Sequence, residues 1–402
     1  MSRSSLGFHT MSLSLRLTRK DTERLIKHFY DYCKQTGIIR MLIVKELSNG
    51  QKDYKEYSPQ FSGTSLILPH KLEINFSDKN RGIKWTIRCD RRSEAYKEYG
   101  IEVTINPKIL LEIQDYITAA TCEDMEIAVF NFNHISSKIS PLLRTFDQYN
   151  LKRFDCCINF SVSELAPRCT PEQIIDLIRR GDKPPRFKVE KAYDKGSHRM
   201  KARPNSFYLV SKSVTINCYR KAAELEDRRE RHRTTIAQED IDEASDVIRF
   251  EVQTTYRRAI PISNLIKNSS FSLNIYYDWL GYSACLKRIN HYYKVTIGAG
   301  DWYSLSAAQK IIEKCGFNKQ KKERLLSVLR VVSQCRSLAE AKAKHQGADL
   351  RDFKRTVKDL ADIGINPVTI PREWGIKCIP NLLHTFNDMD LARIACPDIS
   401  LI

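Results

Sequence analysis

The sequence predicts an α+β fold: an antiparallel sheet core with flanking helices and a mostly helical C-terminal region. Three observations predict it. Between residues 40 and 105 strand-like runs follow one another before any helix, which favours antiparallel neighbours. Three later segments alternate between an oily and a chemically loaded face, as strands with one apolar side do. Beyond residue 303 apolar side chains recur at helical spacing.

Taken in order, residues 1–20 are polar and read as frayed, apart from a strand at 12–17. Asp21 fits an N-cap and Glu23 a first turn, ahead of a helical stripe of Leu25, Ile26, Phe29 and Tyr30. Strands follow at 40–44, 64–68, 71–76, 83–89 and 100–105, the last ended by Asn106-Pro107. Residues 108–120 read as a helix on Ile109, Leu110, Ile113 and Ile117, and another helix is expected near 140–146. Residues 172–180 form a short helix capped by Thr170. A hairpin joins 207–210 to 214–219, and the charge-dense stretch 222–245 is a solvated helix or a mobile loop. Helices at 305–314 and 320–334 precede a stripe of Phe353, Val357, Leu360 and Ile363, with Gly364 as its C′ residue. These last helices suit a helix-turn-helix DNA reader or a plain helical cap. The expected organisation is an N-terminal α+β domain at 1–130, an α+β domain with the loaded strands at 131–300, and a helical DNA-binding region at 301–402.

The balance of 66 Lys+Arg against 48 Asp+Glu leaves +18, which predicts a polyanionic partner. The charge is clustered. Residues 179–203 hold ten basic and three acidic side chains, and 310–330 hold seven and two. The first block reads as an excursion or hairpin between strands. No apolar run reaches the ~18 residues of a membrane span, and the N-terminus lacks the apolar core of a signal peptide, so a cytoplasmic protein without a membrane partner is expected. The twelve cysteines form no C-x-x-C pair and read as small reduced core residues. The nine histidines are dispersed.

The loaded strands are Arg153-Phe-Asp-Cys-Cys-Ile-Asn-Phe160, Thr215-Ile-Asn-Cys-Tyr-Arg-Lys221 and Val247-Ile-Arg-Phe-Glu-Val-Gln253. Their polar faces assemble Asp155, Glu251, Tyr219, Lys221, Arg153 and Arg249, a set suited to phosphodiester chemistry. A solvated sheet face alternates in the same way, so one such strand alone decides nothing. Tyr219 is the candidate nucleophile, because a phenol oxygen can attack phosphorus and conserve the bond as a phosphotyrosine. Lys221 is placed to ease its deprotonation. Asp155 and Glu251 offer oxygen ligands for a divalent metal, Mg or Mn. Arg153 and Arg249 pair with the carboxylates or contact phosphate. Asn159 lies too far along its strand to share an ion with Asp155. Arg179, Arg180, Lys183, Arg186, Lys188, Arg199, Lys201 and Arg203 in the first basic block are expected to track phosphates, as are Lys319, Lys321, Lys322 and Arg324 in the second. Tyr256, Tyr276-Tyr277 and Tyr292-Tyr293 are rival tyrosines.

At these motifs the chain resembles the rolling-circle replication initiators of filamentous phages and plasmids, in particular the phage gene II/X replication protein family, related in pattern to the Rep_trans plasmid initiators. Gly100-Ile-Glu-Val-Thr-Ile-Asn-Pro107 and Gly364-Ile-Asn-Pro-Val-Thr-Ile-Pro371 add to the likeness, which spans about residues 100–375. The resemblance implies an HUH-like sheet, with room for a circular permutation. It implies an enzyme that nicks one strand at an origin through a metal-dependent tyrosine and a 5′-phosphotyrosine link, and later rejoins strands. By motif match Tyr219 is the nucleophile, Lys221 assists, and Asp155 and Glu251 hold the metal. The expected partners are single-stranded and duplex origin DNA in a bacterial host cell, with a host helicase and polymerase and room for a homodimer. The chain departs from the pattern in having no His-hydrophobe-His pair; His134 or His198 could contribute to the metal shell from elsewhere, though no spacing supports either. The competing readings are a non-catalytic, sequence-specific DNA-binding regulator of a phage or plasmid origin, and an RNA-binding or structural phage protein.

Overall fold

The computed structural model describes residues 5–37, 40–46, 52–62, 65–66, 68, 71–78, 81–93, 96–111, 115–121, 124–190, 192–194, 199–201, 205–232, 236–263 and 282–384. Its centre is one eleven-stranded sheet. The strands are β1 (Ser5–Arg16), β2 (Arg40–Glu46), β3 (Lys52–Glu56), β6 (Lys71–Asp78), β7 (Ile83–Ser93), β8 (Tyr96–Ile105), β9 (Asn150–Ser161), β10 (Lys188–Val189), β13 (Ser206–Val210), β14 (Val214–Arg220) and β15 (Val247–Pro261). They lie in the order β10-β13-β14-β15-β9-β1-β8-β7-β6-β2-β3. Hairpins of two short strands each are formed by β4 (Phe61–Ser62) with β5 (Ser65–Leu66), and by β11 (Ala192–Asp194) with β12 (Arg199–Lys201). A mixed chain with a large antiparallel sheet and several helices is the fold class the sequence predicts. Among the described residues no helix is long and apolar enough to cross a membrane.

Backbone contacts divide the chain into two compact units, residues 6–157 with 253–285 and residues 1–5 with 158–252 and 286–402. In the first unit, β1 pairs antiparallel with β8, and β8, β7, β6, β2 and β3 continue antiparallel. Residues 1–20 are less frayed than expected: β1 begins at Ser5 and buries Leu6, Phe8, Met11, Leu13 and Leu15. Helix α1 (Arg19–Thr36) buries Leu25, Ile26 and Phe29, and the Phe29 ring stacks on Phe76 at 4.0 Å. Its cap is Thr18 and not Asp21; the Thr18 hydroxyl accepts the Asp21 amide at 3.1 Å, which leaves Asp21 as the acidic residue of the first turn.

Two helices depart from expectation. Helix α2 is only Pro107–Leu110, because the Asp115 carboxylate accepts the amides of Ile117 (2.8 Å) and Thr118 (2.9 Å), a local turn that competes with helix. The helix expected near 140–146 lies earlier, as α3 (Asp124–Ile139). Thr121 and Asp124 cap its start reciprocally, and the Ser140 hydroxyl takes the Leu142 amide at 3.1 Å, which turns the chain out of the helix.

In the second unit, a single helical turn α4 (Val162–Leu165) precedes α5 (Pro171–Arg179), which carries a capping box of Thr170 and Gln173. Strands β13 and β14 form the expected hairpin, with Ser206 opposite Tyr219. The charge-dense stretch is helical, as α6 (Lys221–His232) and α7 (Gln238–Glu243). After α8 (Tyr282–Thr296), the pair β16 (Trp302–Tyr303) and β17 (Cys378–Ile379) closes around α9 (Leu305–Lys314), α10 (Lys319–Cys335), α11 (Leu338–Ala343) and α12 (Gly347–Asp362). Gly364, at φ +74°, follows α12 as the sequence predicts.

Candidate active site

Asp155 sits on β9 with its side chain fully buried. Two residues earlier on the same face, Arg153 grips both carboxylate oxygens, Nε to Oδ1 at 2.8 Å and Nη2 to Oδ2 at 2.5 Å. Arg249 on β15 is also buried, and its Nε donates to Asn159 Oδ1 at 2.8 Å. That bond links β9 to β15 and engages the Asn159 oxygen. Glu251, two residues along β15, is buried too.

The third member of the cluster is His9 on β1. One nitrogen of His9 and one carboxylate oxygen each of Asp155 and Glu251 lie within 4.8 Å of one another, the only such grouping among the described residues. Ligands on one ion at bond lengths of about 2.1 Å sit at most roughly 4.2 Å apart. The triad therefore needs only slight closure to hold a cation. The donor set fits a divalent cation: an imidazole nitrogen and two buried carboxylates.

Tyr219 lies near the end of β14 and is buried; its phenol O–H donates to Glu251 Oε2 at 3.4 Å. Lys221 does not share that strand. It opens α6, is buried, and its Nζ donates to Glu224 Oε2 at 2.6 Å. Burial, with Arg249 nearby, pushes its ammonium down to about 8.

The basic blocks divide by partner. Arg179 donates to the Ser206 carbonyl at 3.0 Å and Arg180 pairs with Asp176 at 2.6 Å, both within the fold. Burial lowers the Arg179 guanidinium from its ordinary range. Lys183, Arg186 and Lys188 are exposed. Arg199 and Lys201 lie on β12, and Arg203 is outside the described residues. In the second block Lys319 is exposed, Lys321 lies over the Phe317 ring at 4.0 Å, Lys322 donates to the Glu313 carbonyl at 2.7 Å, and Arg324 pairs with Asp359 at 2.6 Å.

Of the rival tyrosines, Tyr293 is a core residue, with its ring centroid 5.5 Å from that of Phe250. Tyr256 is half-buried, and Tyr276 and Tyr277 lie outside the described residues, as does His198. His134 stacks on Phe130 at the exposed side of α3. The histidine that reaches the carboxylates is His9, which sequence reasoning missed. No local spacing marks it, because its partners are more than a hundred residues away in the chain and meet it only across the sheet.

No protein-family model matches the chain, and no curated protein matches it. One solved structure similar in arrangement is described as the structure of a rolling circle replication initiator protein from Geobacillus stearothermophilus. It is 10% identical, with a TM-score of 0.28, over 73% of this chain and 98% of that one. A likeness this loose carries no argument about activity.

Proposed function

We propose that the chain is a replication initiator that nicks one DNA strand at an origin, with Tyr219 as nucleophile and a divalent cation at His9, Asp155 and Glu251. The observation that carries this reading is the contact between the phenol of Tyr219 and Glu251, itself one edge of the buried cluster. A strand tyrosine left to packing alone has no need of a metal-competent carboxylate. The ordered resemblance to rolling-circle initiators supports the same reading.

Tyr219 Oη attacks phosphorus, a P–O bond to Tyr219 forms, and the bond to the 3′-oxygen breaks. The proton lost by the phenol is balanced by the one gained on the departing 3′-oxygen. The product is a free 3′-hydroxyl and a 5′-phosphotyrosine, and the reverse step rejoins strands. Glu251 Oε2 already accepts the phenol's hydrogen bond and is the nearest identified oxygen for its proton; a 3.4 Å separation is long but is of the kind that tightens when substrate binds. Arg153 holds Asp155 in place. A cation bound at the triad would polarise the phosphate and stabilise its growing negative charge. Two carboxylates suit Mg or Mn, and the imidazole of His9 tilts the preference toward Mn.

The test is supercoiled origin DNA with manganese. Wild-type protein should give open circles joined to protein. Tyr219→Phe, which removes one oxygen from a strand position that Phe tolerates, should bind DNA and leave it closed. Wild-type nicking by the Phe variant would assign the nucleophile elsewhere.

A further inference from the structure

A second binding surface lies wholly within the unit built from residues 158–252 and 286–402. It is a cleft of about 650 Å³ between the 182–187 segment, the end of α8 and α12. One part of its lining is aromatic. The Phe187 and Tyr292 rings meet edge to face with centroids 6.1 Å apart, and His291 stands 4.9 Å from Tyr292. The other part is cationic: Arg186, Lys294, Lys354 and Lys358 line it and are exposed. Among the described residues that line it Asp182 is the only carboxylate, and Lys342 already pairs with it at 2.6 Å.

The walls are tied together. The Asp182 amide donates to the Thr296 carbonyl at 2.8 Å, and the Leu338 amide to the Arg180 carbonyl at 2.7 Å. Gly181 permits that approach, since a Cβ there would lie 2.3 Å from the Thr296 oxygen. Pro184 and Pro185 stiffen the segment that carries Arg186 and Phe187. Flat π faces beside a row of exposed cations match a chain of alternating bases and phosphates. A duplex hides its bases, and an acidic peptide offers nothing for the rings.

We propose that this cleft binds a single strand of DNA, with bases against Phe187, Tyr292 and His291 and phosphates on Arg186, Lys294, Lys354 and Lys358. The cleft shares no residue with the His9, Asp155, Glu251 and Tyr219 set. The assignment leans on the proposed function only in naming the strand as DNA.

The test is fluorescence anisotropy of a labelled oligothymidylate with the full chain, without divalent metal so that no nicking occurs. Lys354→Ala with Lys358→Ala should weaken binding and lower the log–log salt slope by about 1.4, since each single-strand phosphate contact contributes about 0.7. Phe187→Ala should weaken it about ten-fold at an unchanged slope, the value of one lost stacking contact. Tyr219→Phe should bind as wild type does. The cleft assignment is overturned by unchanged affinity and slope in the groove variants, by equal losses for a duplex and the single strand, or by displacement with polyglutamate at concentrations where oligothymidylate fails to compete. Full binding in every variant together with wild-type nicking by Tyr219→Phe would fault both assignments; normal groove behaviour with wild-type nicking by Tyr219→Phe would fault the nucleophile alone.

Discussion

At the scale of single residues, the site is a set of buried polar groups, each explained by a partner. Asp155 has Arg153, Arg249 has Asn159, and Lys221 has Glu224. Lys221 is the buried group that a pH series tests best. Its folded-state value of about 8 lies below the ordinary 10.5, so the unfolded chain holds that proton more tightly. The buried charge therefore costs stability below about pH 8, and the cost is relieved as pH rises toward 10.5. Urea unfolding of wild type and Lys221→Met should show wild type gaining on the variant across that window, by up to about 3 kcal/mol. Parallel pH curves for the two proteins would mean that Lys221 is solvated. That Asp155 and Glu251 come together, with Tyr219 beside Glu251, was legible because strand alternation marks which residues share a face. Lys221 was misplaced because nothing in Tyr-Arg-Lys tells a strand's last turn from a helix's first.

At the scale of elements, the putting together of β1, β9, β14 and β15 is what makes a site from distant segments. Alternation revealed the strands and the Thr170 cap marked α5, since those rules act within a few residues. The early start of β1 and the role of His9 were hidden because neighbours in the sheet are not neighbours in sequence. Helix α2 was overextended because Ile109, Leu110, Ile113 and Ile117 keep helical spacing while Asp115 diverts the backbone. The three-strand origin of the triad gives a readout independent of catalysis. A cation that binds only the folded triad stabilises it by mass action, about 2.7 kcal/mol at a hundred times its Kd. Manganese should raise the melting temperature of wild type, and more than magnesium does. His9→Ala and Glu251→Gln should each abolish most of that increment. An increment that survives in both variants would place the ion elsewhere.

At the scale of the whole molecule, the class of fold and the sign of the charge were readable from composition and periodicity, while the division of labour among the basic residues was not. A net charge of +18 predicts a polyanionic partner but not where it would bind. Arg179, Arg180 and Arg324 turn out to hold the protein together through Ser206, Asp176 and Asp359, whereas Lys183, Arg186 and Lys319 remain exposed. Clustering in sequence cannot separate these roles, because ion-pair partners come from other elements. The proposed function is narrower than charge: it requires one tyrosine oxygen, that of Tyr219, to become bonded to DNA. The direct measurement is to trap the protein–DNA adduct on origin DNA with manganese, digest it with nuclease and trypsin, and locate the nucleotide by mass spectrometry. A nucleotide linked through its 5′-phosphate is expected on the tryptic peptide 213–220, on Tyr219. A modified peptide containing Tyr256, Tyr276, Tyr277, Tyr292 or Tyr293, with 213–220 unmodified, would contradict it.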